Sequence, residues 1–573
     1  MSADEKDKDL KEGVVDVTDA QILADVEIDH NLLRLGHEVI ERQKRETFGQ
    51  TWRNHWRAAI WSLFISTALW MEGYDTAVVN SFFGLPQFLA RFGVKQNGKL
   101  IIPASTQGAL GNIATCGQLV GLVVTGFCQE RYGAKRTFFW GMIFMIGTIF
   151  LAVFAQNMPM LMGAEFIMGI PWGMFQTLTT AYASEICPIN MRGYLAAYAS
   201  VGWGGGRFVS TGVLRGTLGM KGDWAWRVPY AIQWIWPVPL AALVIFAPES
   251  PWWLVRRGRM EEAKAVIRRT ARPGFYAPGE VEGYAEYMKH TDALDRAEKA
   301  KGAFIDMFRG TNLRRTEIQL GVWIVQIWNG NAITSLTVEF LEQAGMTTTF
   351  AFDFNMILNA LSLVGVAISW AMLRYMGRRP IYLYGTLSII LLNLPIGILG
   401  CLPATTPRLM AIGSLMALIN FAFHFSLGPV CYTIVGELPA SSLRARSIAV
   451  GRFVYVVNSI VVNEINPYLV VDLAAKAGFF WMGTGILCIV WAFFRMPETG
   501  GFSFAELDIL FANKVPARKF KSVIVRDRLA EDPNALSVPQ YTAPDAAATA
   551  DEKADSKGDV MHVERAVAKQ LNA

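Results

Sequence analysis

The chain carries YASEICPINMRG at 182–193 and GPVCYTIVGELPASSLRAR at 428–446. Each stretch follows an apolar run, and each sets a glutamate seven positions before an arginine with a proline between them. The first set is Glu185, Pro188 and Arg192; the second is Glu437, Pro439 and Arg444. The spacing between the sets, near 250 residues, recurs elsewhere. Pro248-Glu249-Ser250 returns as Pro497-Glu498-Thr499, and Gly133 with its basic neighbours returns as Gly377-Arg378-Arg379. Such repetition implies two similar halves, the arrangement of many membrane transporters.

Outward from these motifs lie apolar runs close to the ~20 residues that a helix needs to cross a bilayer. Six centre on Leu69, Gln118, Phe144, Gly169, Gly204 and Pro239. After a polar stretch, six more centre on Gln326, Leu363, Ile390, Phe421, Val457 and Gly485. The fold expected is an all-α membrane protein with twelve transmembrane helices in two six-helix halves. The boundaries read as a tail at 1–57, a first half at 58–247, a helical insert at 248–316, a second half at 317–496 and a tail at 497–573, disordered after about 525.

Composition agrees with a membrane protein. Of 573 residues 52% are hydrophobic and only 18% charged, and the mean hydropathy is +0.29. The charges crowd into the ends and the insert, leaving a middle too apolar for a soluble core. A net charge of +5 is too small to suggest a nucleic-acid partner. The six cysteines lack CxxC spacing, so no metal site or cofactor is expected. The acid-rich first residues have no early apolar core and do not read as a signal peptide. Arginines and lysines gather in alternate loops, among them Arg131, Lys135, Arg136, Arg192, Arg256, Arg378 and Arg444, which predicts cytoplasmic termini.

The motifs together resemble the sugar porters of the major facilitator superfamily, and the fungal maltose-type (α-glucoside) proton symporters in particular. GYDTAVVNSFFG (73–84), GFCQERYGAKR (126–136), PESPWWLVRRGRMEEA (248–263) and PETGGFSFAELDILF (497–511) carry the family likeness, with the two stretches quoted first. GIPWGMFQTLTTAYASEICP (169–188), Trp252-Trp253 and KVPARKF (514–520) carry the maltose-type likeness. The resemblance implies proton-coupled sugar uptake by alternating access, with a sugar and protons as partners, in a monomer of the plasma membrane. In the cytoplasmic motifs Glu130, Glu185, Glu249, Glu437 and Glu498 can bridge Arg131, Arg192, Arg378 and Arg444. A gate between the halves is the functional reading of that set; fixed topology charges are the plainer one.

Charges inside spans are costly and mark functional positions. The resemblance makes Asp75 the proton carrier. Glu165 replaces an arginine usual in the family, so the expected proton site is an Asp75–Glu165 pair sharing a proton. Glu72, one turn earlier, is read as facing an outer vestibule. Arg207 stands where the family has a sugar-binding glutamine; it either neutralises the two acids or binds an anionic group. In span seven, QIWNGNAITSLTVEF (326–340) keeps Gln326 of the family's amide pattern, with Asn329 and Asn331 as substitute donors and Glu339 at a position usually aromatic. Trp328, Gln118, Gln176, Tyr432 and Asn458 complete the expected sugar contacts, since sugars offer hydroxyls and apolar faces together. The alternatives are the same fold carrying an organic acid or a glycosylated metabolite, possibly outward, a sugar sensor, or a membrane enzyme, for which no nucleophile–base spacing is found.

Overall fold

The computed structural model describes residues 29–522, apart from 97–98, 302–303, 344, 404, 440–442, 501–506 and 508–509. The disorder expected after about 525 therefore lies outside the described residues. Span one is Phe48–Ser66 with Ala68–Phe82, span two Ala104–Tyr132, span three Ala134–Val153, span four Met158–Ile186, span five Ile189–Thr217 and span six Trp224–Ile232 with Pro237–Val244. Span seven is Gly310–Trp328 with Thr337–Gln343, span eight Thr348–Tyr375, span nine Arg378–Gly400, span ten Thr406–Phe425 with Leu427–Glu437, span eleven Arg444–Tyr468 and span twelve Ala477–Arg495. The only sheet among the described residues is a small hairpin, Val94–Gln96 paired with Lys99–Ile101.

Six helical stretches are long and apolar enough to cross a membrane on composition, and they cover spans two, three and eight to twelve. Among the described residues, spans one, four, five, six and seven are not in that set. Spans one, six and seven are each broken into shorter helices, while spans four and five carry Glu165 and Arg207. Breaks and buried charges thus fall on helices that build the site.

Apolar side chains gain little by meeting one another in lipid, so close packing of small residues must hold the spans together. Gly117 and Gly121 of span two face Gly169 and Gly173 of span four. A Cβ on Gly117 would lie 3.0 Å from the Gly169 Cα, and one on Gly121 would lie 3.2 Å from the Gly173 Cα. Gly205 and Gly206 of span five press on Trp70 of span one in the same way. Several helices break where the site is built. Span one breaks at Thr67, whose hydroxyl donates to the Phe64 carbonyl at 2.6 Å. Span seven breaks at Gly330, whose φ of +100° suits only glycine. Span ten breaks at Ser426, three residues before Pro429.

The insert contributes helices Pro251–Arg256, Met260–Thr270 and Glu280–Lys301. A helix at His30–Arg45, inside the stretch read as a plain tail, packs on the last of these. Arg42 grips Glu280 through two hydrogen bonds of 2.8 and 2.9 Å. Val39, Ile40, Trp253, Leu254, Ile267 and Tyr284 form a separate apolar core beneath the pair. This side of the bundle is the insert face; the hairpin marks the far face.

The repeated motifs act mainly inside each half. Glu249 accepts from the backbone N–H groups of Ala134, Lys135 and Ser250 at 3.0–3.1 Å, capping span three. Glu498 accepts from Arg378, Arg379 and Gly500 at 2.9–3.2 Å, capping span nine. Glu185 pairs with Arg256 at 2.7 Å and Glu437 with Arg378 at 2.8 Å. Glu130 contributes its backbone carbonyl, to Trp253 and Arg257, while Arg131 lies over the Tyr132 ring. The side chains of Arg192 and Arg444 lie outside the described residues. Among the described residues Glu437 thus meets Arg378 of its own half and Glu185 meets Arg256 of the insert, while Glu249 and Glu498 sit at helix starts, where a carboxylate is drawn to unpaired N–H groups.

Bonds between the halves occur instead toward the far face. Gln107 of span two donates to Glu339 of span seven at 2.7 Å. Asn112 donates to the Ile460 carbonyl at 3.0 Å and to Glu464 at 3.3 Å. Arg215 of span five bonds Asp353 of span eight at 2.5 Å.

Candidate functional site

A cavity of about 290 Å³ lies between the halves, and a second lobe of about 200 Å³ adjoins it. The lobes share Thr76, Asn80, Arg207, Gln326, Tyr455 and Asn463 among their walls. Both halves therefore supply the lining.

In the wall of the first lobe, spans one and four bring two carboxyls together against span six. Asp75 is 2% exposed and Glu165 fully buried, and they meet side chain to side chain. Gln233, in the break of span six, donates to Asp75 Oδ1 at 2.5 Å. The Tyr230 hydroxyl donates to Glu165 Oε1 at 2.6 Å. The adjacent Tyr74 hydroxyl donates to the Pro229 carbonyl at 2.8 Å and fixes span one against span six. Gln233 and Tyr230 went unnoticed in the sequence, where IQWIWP reads only as an apolar run.

Glu72 lines the cavity rather than an outer vestibule, because it lies three residues before Asp75 and shares its helix face. Its Oε2 accepts from Trp203 Nε1 at 2.8 Å. Its Oε1 accepts from Gln176 at 2.5 Å and Gln118 at 3.2 Å. The Gln176 carbonyl oxygen in turn accepts from Arg452 of span eleven at 2.8 Å, which joins the halves at mid-membrane. Arg452 also lies over the Tyr455 ring, 4.5 Å from its centre, and points a guanidinium nitrogen at the Tyr432 hydroxyl at 3.5 Å. The sequence reading missed Arg452, although GRFVY stands well inside the apolar run after Arg446. Its six-residue separation from that loop arginine was the available signal.

Arg207 lines both lobes and has Glu72, Tyr455 and Tyr432 as its electrostatic neighbours. Among the described residues its guanidinium makes no ion pair with Asp75 or Glu165, although all three line the first lobe; the acids are held by Gln233 and Tyr230 instead, which corrects the reading of a direct counter-ion. Gln326 faces both lobes and donates to the Gly428 carbonyl at 3.3 Å. Asn331 lines the second lobe. Asn329 is turned away from it: its amide donates to the Val325 and Gln326 carbonyls and its oxygen accepts from the Asn331 N–H, closing the broken end of span seven. Trp328 donates to Asn458 at 3.0 Å, and this pair is absent from the walls of either lobe, a contact that knits spans seven and eleven. Gln118 and Tyr432 line the first lobe, with Gln176 behind them in the Glu72 network.

The profile of the sugar (and other) transporter family matches residues 61–511. The chain belongs to the sugar transporter family. Maltose permease MAL31 of Saccharomyces cerevisiae is 35% identical over 480 residues, covering 82% of this chain and 78% of the permease. Alpha-glucosides permease MPH2 of the same species is 36% identical over 502 residues, covering 85% and 81%. Among solved structures, the proton:xylose symporter XylE bound to 6-bromo-6-deoxy-D-glucose superposes with a TM-score of 0.63 at 21% identity, covering 79% of this chain and 99% of the symporter. A partially occluded inward-open form of XylE from E. coli gives 0.61 at 19% identity, covering 77% and 98%. The fold is that of the major facilitator superfamily, and this sugar transporter is a multi-pass membrane carrier rather than an enzyme.

Proposed function

We propose that this transporter couples proton entry to uptake of a neutral α-glucoside or oligosaccharide such as maltose. It works by alternating access, as a monomer, in a plasma membrane with the insert face and both termini cytoplasmic. The observation that carries the reading is the buried Asp75–Glu165 pair in the wall of a cavity rich in amides and aromatics. Two carboxyls in contact in a low-dielectric site hold one proton between them, because both cannot ionise together without strong repulsion. With that proton bound, one charge on the pair and one on Glu72 balance Arg207 and Arg452. A neutral sugar then enters a site without net charge. Proton release toward the cytoplasm leaves excess negative charge, which favours a different arrangement of the Glu72–Gln176–Arg452 bonds between the halves. Gln118, Gln326 and Asn331 supply amide contacts for hydroxyls, and Tyr432 and Tyr455 supply aromatic faces for sugar C–H surfaces. The cytoplasmic orientation rests on the basic loops, and the substrate class and plasma membrane on likeness to the permeases.

Uptake of labelled maltose by transporter-null yeast expressing this chain tests the reading, with internal hydrolysis blocked. The expected result is saturable accumulation that collapses on adding a proton uncoupler. Accumulation that survives the uncoupler defeats symport. Absence of saturable uptake for any neutral α-glucoside defeats the substrate class and turns attention to organic acids.

A further inference from the structure

A third cavity, of about 310 Å³, opens at the insert face, away from the transport pathway. Its walls are Trp56, Arg57, Ile60 and Trp61 from the start of span one, Pro248 from the loop after span six, and Arg269 and Thr270 from the insert. Trp56 and Ile60, four residues apart just after a kink at His55, are 43% and 47% exposed and form an outward apolar stripe on one helix face. The apolar run of span one begins near Ala58, which sets this stripe at the level where a bilayer core gives way to headgroups. Tryptophans favour that level because they are apolar with one polar edge.

Positive charge meets the stripe there. Arg57 lies over the Trp56 ring at 5.6 Å and makes no ion pair among the described residues. Arg269 is exposed and spends one guanidinium nitrogen on the Phe246 carbonyl at 2.6 Å. Beside it, Lys135 donates to the Ile245 carbonyl at 2.6 Å, followed in sequence by Arg136. No carboxylate is among the walls of the cavity. Glu249, the acid next to Pro248, is committed to the N–H groups that cap span three. The cavity therefore joins a cationic, hydrogen-bond-donating floor to an aromatic edge open toward lipid tails.

We propose that this groove binds the headgroup of an anionic phospholipid, with the phosphate between Arg57 and Arg269 and an acyl chain along Trp56 and Ile60. The shared chemistry is a phosphate oxyanion. The apolar stripe at membrane depth selects a lipid over a free anion as its source, since a free anion has no use for it. Bound there, the lipid bridges span one and the insert.

Native mass spectrometry of the full-length protein in detergent tests this with phosphatidylserine, phosphatidylcholine and inorganic phosphate as probes. The expected result is an about tenfold preference for phosphatidylserine over phosphatidylcholine: both carry the phosphate, but the choline cation cancels its charge and is repelled by Arg57 and Arg269. Arg57→Gln with Arg269→Gln should abolish that preference, and Arg57→Lys with Arg269→Lys should retain it. Arg57→Gln alone, which leaves the Arg269–Phe246 bond intact, should weaken it severalfold and serves if the double variant does not fold. Equal retention of both lipids, or a preference that survives in Arg57→Gln and in the double glutamine variant, overturns the site. Full displacement of phosphatidylserine by millimolar inorganic phosphate overturns its assignment to a lipid.

Discussion

Asp75 and Glu165 stand 90 positions apart in the chain, yet they share one buried pocket with Gln233 and Tyr230. If they hold the coupling proton jointly, their substitutions cannot act independently. Asp75→Asn should abolish uncoupler-sensitive accumulation while leaving exchange of labelled for unlabelled sugar. Glu165→Gln added to it should cause little further loss, and a double-variant cycle in proteoliposomes measures this. Arg207 calls for a different outcome. Arg207 lines both lobes, where it can donate to a sugar hydroxyl. Such a charged donor contributes about 1.5–3 kcal/mol, so Arg207→Gln should raise the KM for sugar about tenfold or more while accumulation stays sensitive to the uncoupler. The acids were legible in the sequence because charge is scarce inside apolar runs. Arg452 was legible by the same rule but stood close enough to loop arginines to be passed over. Gln233, Tyr230 and the Trp203 bond to Glu72 were not legible, since polar tips on aromatic and amide side chains are common in any span.

At the scale of the helix, the repeated motifs turn out to be caps. Glu249 and Glu498 each collect two backbone N–H groups at the start of spans three and nine, and a third from the residue one or two positions after the glutamate. Gly133 and Gly377 leave the room, because a Cβ on either would run into the carboxylate. A carboxylate against the positive end of a helix contributes roughly 0.5–2 kcal/mol. Glu249→Gln and Glu498→Gln should therefore lower the thermal unfolding midpoint of the purified protein by similar amounts, each by a few degrees. A marked inequality would mean that the two halves use their copies of the motif differently. The motif spacing was visible in the sequence, but its partner was not: Glu249 and Ala134 are 115 residues apart, and only the packing of the loop after span six against span three joins them.

For the whole molecule, the described bonds tie the halves together at mid-membrane and toward the far face, while the N-terminal helix ties itself to the insert. That second tie has a defined response to pH. Burial by itself would raise the Glu280 carboxyl, but the Arg42 hydrogen bonds, the Ala277 N–H and the Arg42 charge outweigh it, and the group is held below its ordinary range. A depressed carboxyl stabilises the folded contact fully above its unfolded value and loses that contribution as pH falls through the folded one. The His30–Arg45 helix should thus stay docked through neutral and mildly acidic pH and loosen only in stronger acid. Hydrogen exchange across residues 30–45 and 280–301 measures this, and Glu280→Gln should loosen the helix at neutral pH. The sequence by itself determined the twelve spans, the two halves and the family, because apolar length, loop charge and repeated punctuation are local properties that survive without coordinates. Only the tertiary structure decided which charges meet: that Glu185 pairs with Arg256 and Glu437 with Arg378, that Glu249 and Glu498 cap helices, that Arg207 pairs with neither Asp75 nor Glu165, and that Arg452 reaches Glu72 through Gln176. In a bundle of long helices each side chain's neighbours are set by rotation and by breaks such as that at Gly330, and a turn of one helix exchanges all of them at once.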